Sequence, residues 1–144
     1  MSEKALFTKT FTVDGGDFQN AGSVSKQVKK ILKQLNIDPD TIWRVMIVCY
    51  EAEMNVVLYA RQCEVTLSIY PDRIHLKLAD EGPGIEDIEK ALTEGFSTAT
   101  REMRELGFGA GLGLPNIRKT SDMFEIESTV GVGTTLNISV LLPE

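Results

Sequence analysis

At 144 residues, with 42% hydrophobic and 25% charged side chains, the chain has the size and composition of one globular domain spanning 1–144, which excludes disordered and low-complexity modes of action. A net charge of −6 argues against a general electrostatic grip on nucleic acid or on an anionic membrane. Two cysteines, Cys49 and Cys63, and a single histidine, His75, leave no material for a disulfide scaffold or a His/Cys zinc site.

The first residues lack the apolar stretch of a signal peptide, and the longest apolar run, Val45 to Tyr50, is too short to cross a bilayer. A soluble, reduced, cytoplasmic domain is expected. Ala5 to Val13, rich in Phe and Thr, reads as a strand closed by the turn Asp14-Gly15-Gly16-Asp17. A helix follows over about Ala21 to Leu35, with Val24, Val28, Ile31 and Leu35 as its apolar stripe. Lys26, Lys29, Lys30 and Lys33 form another face, which reads either as a solvated surface or as a docking surface for an acidic protein partner.

Asp38-Pro39 is a strong helix start, and the helix should run from Pro39 to about Tyr59. It is apolar almost all round, Trp43 and Met46 included, so burial on more than one side is expected. Its polar residues Glu51, Glu53 and Asn55 are then costly unless each finds a partner. Cys63 to Tyr70 and Arg73 to Ala79 alternate and form a hairpin. A short helix near Glu86 to Glu94, a helix from about Leu112 to Ser121, and strands Phe124 to Thr129 and Thr134 to Leu142 complete the chain. Hairpin-linked strands with three long helices among them suit an α+β two-layer sandwich better than a doubly wound sheet.

Four short motifs carry chemistry. Glu51-Ala-Glu-Met-Asn55 puts a carboxylate and a carboxamide one helical turn apart, suited to a base and a hard-cation ligand. Asp80-Glu81-Gly82-Pro83-Gly84 ends a strand with an acid and two glycines that let backbone approach a ligand. Gly107-Phe-Gly109-Ala-Gly111-Leu-Gly113 runs into a helix start, where free N–H groups favour an anion. Gly131-Val-Gly133-Thr134-Thr135 precedes the last strand and alone is a hairpin turn.

In this order the four motifs resemble the N box and the three glycine boxes of the GHKL ATPase superfamily, over about Pro39 to the end of the chain. Within it, the lone small domain resembles the anti-sigma-factor serine kinases and their stress-switch relatives, and Glu94-Gly-Phe96-Ser97-Thr98 with Tyr59 look most like the switch-kinase branch. The resemblance implies a Bergerat fold: a mixed, mostly antiparallel sheet covered on one face by about three helices, with ATP and Mg2+ bound between the layers. It implies Asp80 on the adenine amine and Gly82 and Gly84 beside the base. It implies Asn55 on magnesium and Glu51 as general base. Gly109, Gly111 and Gly113 would form the lid and phosphate loop, and Thr134, or Thr135 if the register shifts, would hold the adenine. The implied activity is a protein serine/threonine kinase acting on a small STAS-type partner, or restraining a sigma factor, in a partner-switching pathway, with a homodimer possible and no nucleic acid or membrane involved.

The relatives that carry Lys or His one turn after the N-box Asn differ here, where Tyr59 stands; Arg101, Arg104 and Lys119 are the candidate replacement cations, with surface pairing to Glu102 and Glu105 the favoured reading of the two arginines. His75, mid-strand, reads as structural. Two other activities share the motifs: an ATP-responsive binding module without phosphotransfer, and the stand-alone catalytic domain of a split histidine kinase.

Overall fold

A computed structural model describes residues 4–93 and 113–143. In chain order the elements are β1 (Phe7–Asp14), α1 (Ser23–Gln34), α2 (Pro39–Tyr59), β2 (Gln62–Ile69), β3 (Arg73–Glu81), α3 (Ile88–Ala91), α4 (Gly113–Thr120), β4 (Met123–Thr129) and β5 (Gly133–Leu141). The strands form one sheet in the order β1-β2-β3-β5-β4, and every pairing is antiparallel.

The alternation in each strand decides which face the helices cover. Val65, Leu67, Ile74, Leu76, Leu78, Leu136 and Ile138 are buried toward the helices. Their neighbours Thr66, His75, Lys77, Asn137 and Ser139 stand on the opposite face. There His75 bonds Ser139 Oγ through Nδ1 (3.0 Å) and Asn137 Oδ1 through Nε2 (3.2 Å), so its role is structural as expected. Val28 and Leu32 of α1, Val45 and Val48 of α2 and Ile117 of α4 close the core from the helical layer.

Helix α2 begins where the Asp38-Pro39 signal places it, with the Asp38 carboxylate accepting from the Thr41 N–H at 3.1 Å. Three details of the helices differ from the sequence expectation. The buried stripe of α1 is Val24, Val28 and Leu32, whereas Leu35 lies past the last helical residue and is 47% exposed. The helix ends there, and Asn36 just beyond takes a left-handed φ of 57°. Helix α2 is buried on more than one side as expected, with Val45, Ala52, Glu53, Met54 and Val57 all buried, but Trp43 is 68% and Tyr50 45% exposed. Helix α3 is shorter than its sequence suggests, capped at Asp87 by an N–H from Lys90.

Candidate nucleotide site

Helix α2 carries three polar residues into the helical layer, and the structure gives each a different environment. Glu53 is 1% exposed and faces α1. Its carboxylate accepts from the N–H groups of Gly22 (2.9 Å), Val24 (3.2 Å) and Ser25 (3.0 Å) and from Ser25 Oγ (2.9 Å). Helix α1 has no side-chain cap of its own, so Glu53 satisfies its orphan donors from another helix and complements its dipole. The expected cost of Glu53 is met by these four bonds.

Glu51 and Asn55 face α4. A Cβ added to Gly113 would lie 3.0 Å from Asn55 Oδ1, so the first residue of α4 touches the Asn55 carboxamide and has no room for a side chain. One turn further along each helix, Asn116 hydrogen-bonds the Glu51 carboxylate. Burial pushes the Glu51 carboxyl above its ordinary value, and the Asn116 bond draws it part of the way back. At the far end of the same interface, Arg44 donates to the Thr120 carbonyl through Nε (3.2 Å) and a guanidinium NH2 (2.8 Å) and pairs with Asp122 at 2.9 Å. Polar contacts therefore run the whole length of the α2–α4 seam and fix where the first turn of α4 points.

A second group gathers at the end of the sheet. The Thr134 N–H donates to Asp80 Oδ1 at 2.9 Å, and Gly133 lies so close to the Asp80 carbonyl that no Cβ fits. Asp80 Oδ2 accepts nothing among the described residues. Burial raises the Asp80 carboxyl from its ordinary value, and the Thr134 bond opposes that rise. Thr134 shares the helix-facing side of β5 with Leu136, whereas Thr135 shares the other side with Asn137, so Thr134 is the threonine beside Asp80. Its hydroxyl bonds Ser128 Oγ at 2.8 Å, and that Oγ also accepts the Ile85 N–H at 2.8 Å.

Gly82 packs on Ala60 just past the end of α2, where a Cβ would meet the Ala60 Cα at 3.2 Å, so the two groups lie at one end of the molecule. Gly84, at φ 75°, presses against the Thr129 backbone, and the Gly131 N–H bonds the Pro83 carbonyl at 2.8 Å. Docking of the β4–β5 turn thus accounts for the glycine at 84 without any ligand.

Gly109 and Gly111, with the remainder of the proposed lid and with Arg101 and Arg104, lie outside the described residues. Lys119 is exposed in the last turn of α4, at the opposite end from Gly113, which removes it as a replacement for a cation after Asn55. Asn116, Arg44 and Ser128 are site residues that the sequence reading missed. Only contacts spanning 65, 76 and 43 positions assign them, and no local spacing signals these contacts.

The donor chemistry fits a magnesium-bound nucleotide. Among the described residues no cluster of three or more His, Cys, Asp or Glu side chains is placed to hold a metal by itself. One carboxamide oxygen beside a helix N-terminus suits a cation whose other ligands are phosphate oxygens and water. No described helix is long and apolar enough to cross a membrane.

Comparison with known proteins agrees with this geometry. The family model for the histidine kinase-like ATPase domain matches residues 17–140. The chain is 30% identical over 112 residues to the serine/threonine-protein kinase RsbT of Bacillus subtilis, covering 75% of this chain and 78% of RsbT. It is 29% identical over 126 residues to the anti-sigma F factor of Caldanaerobacter subterraneus, covering 84% and 85% of the two chains. The nucleotide-free catalytic domain of histidine kinase ThkA superposes with a TM-score of 0.55 at 16% identity, covering 95% of this chain and 97% of that one, a likeness of fold.

Proposed function

This chain belongs to the family of histidine kinase-like ATPase domains, and on that premise we propose that it is an ATP-dependent protein serine/threonine kinase that phosphorylates a small STAS-type protein in a partner-switching pathway. The observation that carries the reading is the convergence of Glu51 and Asn55 on the first turn of α4. A module that only binds nucleotide needs no base at that point; a kinase does.

In this reading Asp80 accepts the exocyclic amine of adenine on the oxygen that Thr134 leaves free. Gly82 and Thr134 line the base beside it. The backbone N–H groups opening α4 hold phosphate, with Gly109, Gly111 and Gly113 belonging to the loop around it. Asn55 would hold Mg2+, which when bound neutralises phosphate charge. Glu51 takes the proton of the incoming serine hydroxyl as its oxygen bonds the γ-phosphorus and the bond to ADP breaks. Positioning, charge neutralisation and one base suffice for this chemistry. Burial, by raising the Glu51 carboxyl above its ordinary value, makes its carboxylate a stronger proton acceptor than an exposed one. A cytoplasmic location fits this use of ATP.

The test is transfer from γ-labelled ATP into an extract of the source cells, with wild type and Glu51→Ala side by side. Acid-stable label on a small protein, lost in the variant, is the expected result. ATP bound tightly with no transfer would replace the kinase by an ATP-gated binding switch, and acid-labile label would replace it by a split histidine kinase.

A further inference from the structure

On another face of α2 from Glu51 and Asn55, a groove of about 720 Å³ runs between α1 and α2. One wall is Lys26, Lys29 and Lys33; the other is Trp43, Met46 and Tyr50. Both walls step through i, i+3 and i+7, so charge and apolar surface run side by side for about 10.5 Å of helix.

We propose that this groove docks an acidic amphipathic helix of a partner protein. Three observations support it. First, α1 carries four lysines and no acidic residue within a chain of net charge −6, and no ion pair relieves these lysines among the described residues. Like charges at i, i+3 and i+4 repel, and a merely solvated face would be interleaved with Glu or Asp. Second, Trp43 at 68% and Tyr50 at 45% exposed are large aromatic groups left in water, the residue types that anchor interfaces. Third, the groove is built before anything binds: Glu53 clamps Gly22, Val24 and Ser25, at the start of its lysine wall, onto α2. A preformed wall saves the ordering entropy of docking.

The occupant is defined by this chemistry. Two turns of aliphatic side chains would lie against Trp43, Met46 and Tyr50, and Asp or Glu along one flank would meet the lysine row, a helix-in-groove mode.

Trp43 is the sole tryptophan of the chain, so its emission reports on the groove directly. The full-length protein is titrated with a synthetic sixteen-residue helical peptide carrying Leu at i, i+3 and i+7 and Glu along one flank. A saturable blue shift is expected, weakened about tenfold or more by half-molar salt. The triple variant Lys26→Glu, Lys29→Glu, Lys33→Glu should lose at least about tenfold in affinity, the scale for reversed charges at an interface. Lys30→Glu, on the same helix but outside the groove, should not, and equal thermal melts of the two variants exclude misfolding. Glu51→Ala should leave binding unchanged, which separates this proposal from the kinase reading. An equal response to a peptide with Lys in place of Glu, or to a fifteen-nucleotide single-stranded DNA, would overturn it. So would an unchanged affinity in the triple variant, or a peptide-independent blue shift that grows with protein concentration, which would assign the groove to a second copy of this chain.

Discussion

Glu51 and Glu53 stand two residues apart on one helix and do opposite work. Glu53 is 1% exposed and spends its carboxylate on four donors from α1, leaving little acceptor capacity for a ligand. Glu51 is half-buried and, among the described residues, its one hydrogen-bond partner is Asn116, so lone pairs remain for a substrate proton. The difference is one of angle: two residues turn a helix by about 200°, which aims one acid at a neighbouring helix end and the other at the α4 seam. A carboxylate whose acceptors are filled is architecture, and one with acceptors to spare is available for chemistry.

Exchanging the losses of the two acids is the sharpest way to break that comparison. Glu51→Ala should cut phosphotransfer by about 10²–10⁴-fold, the range for a lost general base, and leave the folding free energy within about 0.5 kcal/mol of wild type. Glu53→Ala should do the reverse to the fold, since it strands three buried N–H groups; about 3 kcal/mol of stability should go, as hydrogen bonds to a charged acceptor are worth about 1.5–3 kcal/mol each and do not add. Urea unfolding of both variants beside a transfer assay checks both. Equal stability losses would erase the distinction.

A smaller effect is expected at the end of the sheet. Asp80→Asn keeps an oxygen for the Thr134 N–H, so the fold should survive, but it replaces the acceptor facing the nucleotide by an amide. ATP affinity should fall by about 1–3 kcal/mol, while GTP, which offers a carbonyl in place of the amine, should not lose affinity. Calorimetric titration of both nucleotides reads this, and unchanged ATP affinity would remove Asp80 from base recognition.

Much of this was legible in the sequence where the signal is local. Asp38-Pro39 set the start of α2, and alternation set β2 and β3 with the correct hairpin between them. The α+β two-layer sandwich followed from strands linked by hairpins, although the sheet expected to be mixed and mostly antiparallel pairs antiparallel throughout the described residues. What stayed illegible depends on partners distant in sequence. Spacing treats Glu51 and Glu53 alike, since only the position of Gly22 to Ser25 distinguishes them. Composition made Trp43 a core residue because the helix is apolar on nearly every side; only the placement of α1 leaves it facing an open groove. Gly84 reads as a ligand-facing glycine, yet the approach of Thr129 already requires it.

Asn116 offers the finest adjustment of the Glu51 environment, because it acts on the base without being one. Its hydrogen bond favours the ionised carboxylate and so lowers a pKa that burial has raised. Asn116→Ala removes the lowering influence and keeps the burial, so the Glu51 pKa should rise further. The base is active when deprotonated, and the acid limb of the transfer rate should therefore move to higher pH. Well above both pKa values the variant should recover most of its rate, a loss of less than about tenfold for one positioning bond. Asn116→Asp, placing a second carboxylate beside Glu51, should move the limb further in the same direction. ATP affinity should stay constant across the series, since Asn116 contacts the base and not the nucleotide pocket formed by Asp80 and Thr134. A pH–rate profile that does not move in either variant would mean that Asn116 only packs the α2–α4 seam, and that Glu51 takes its ionisation from its surroundings alone.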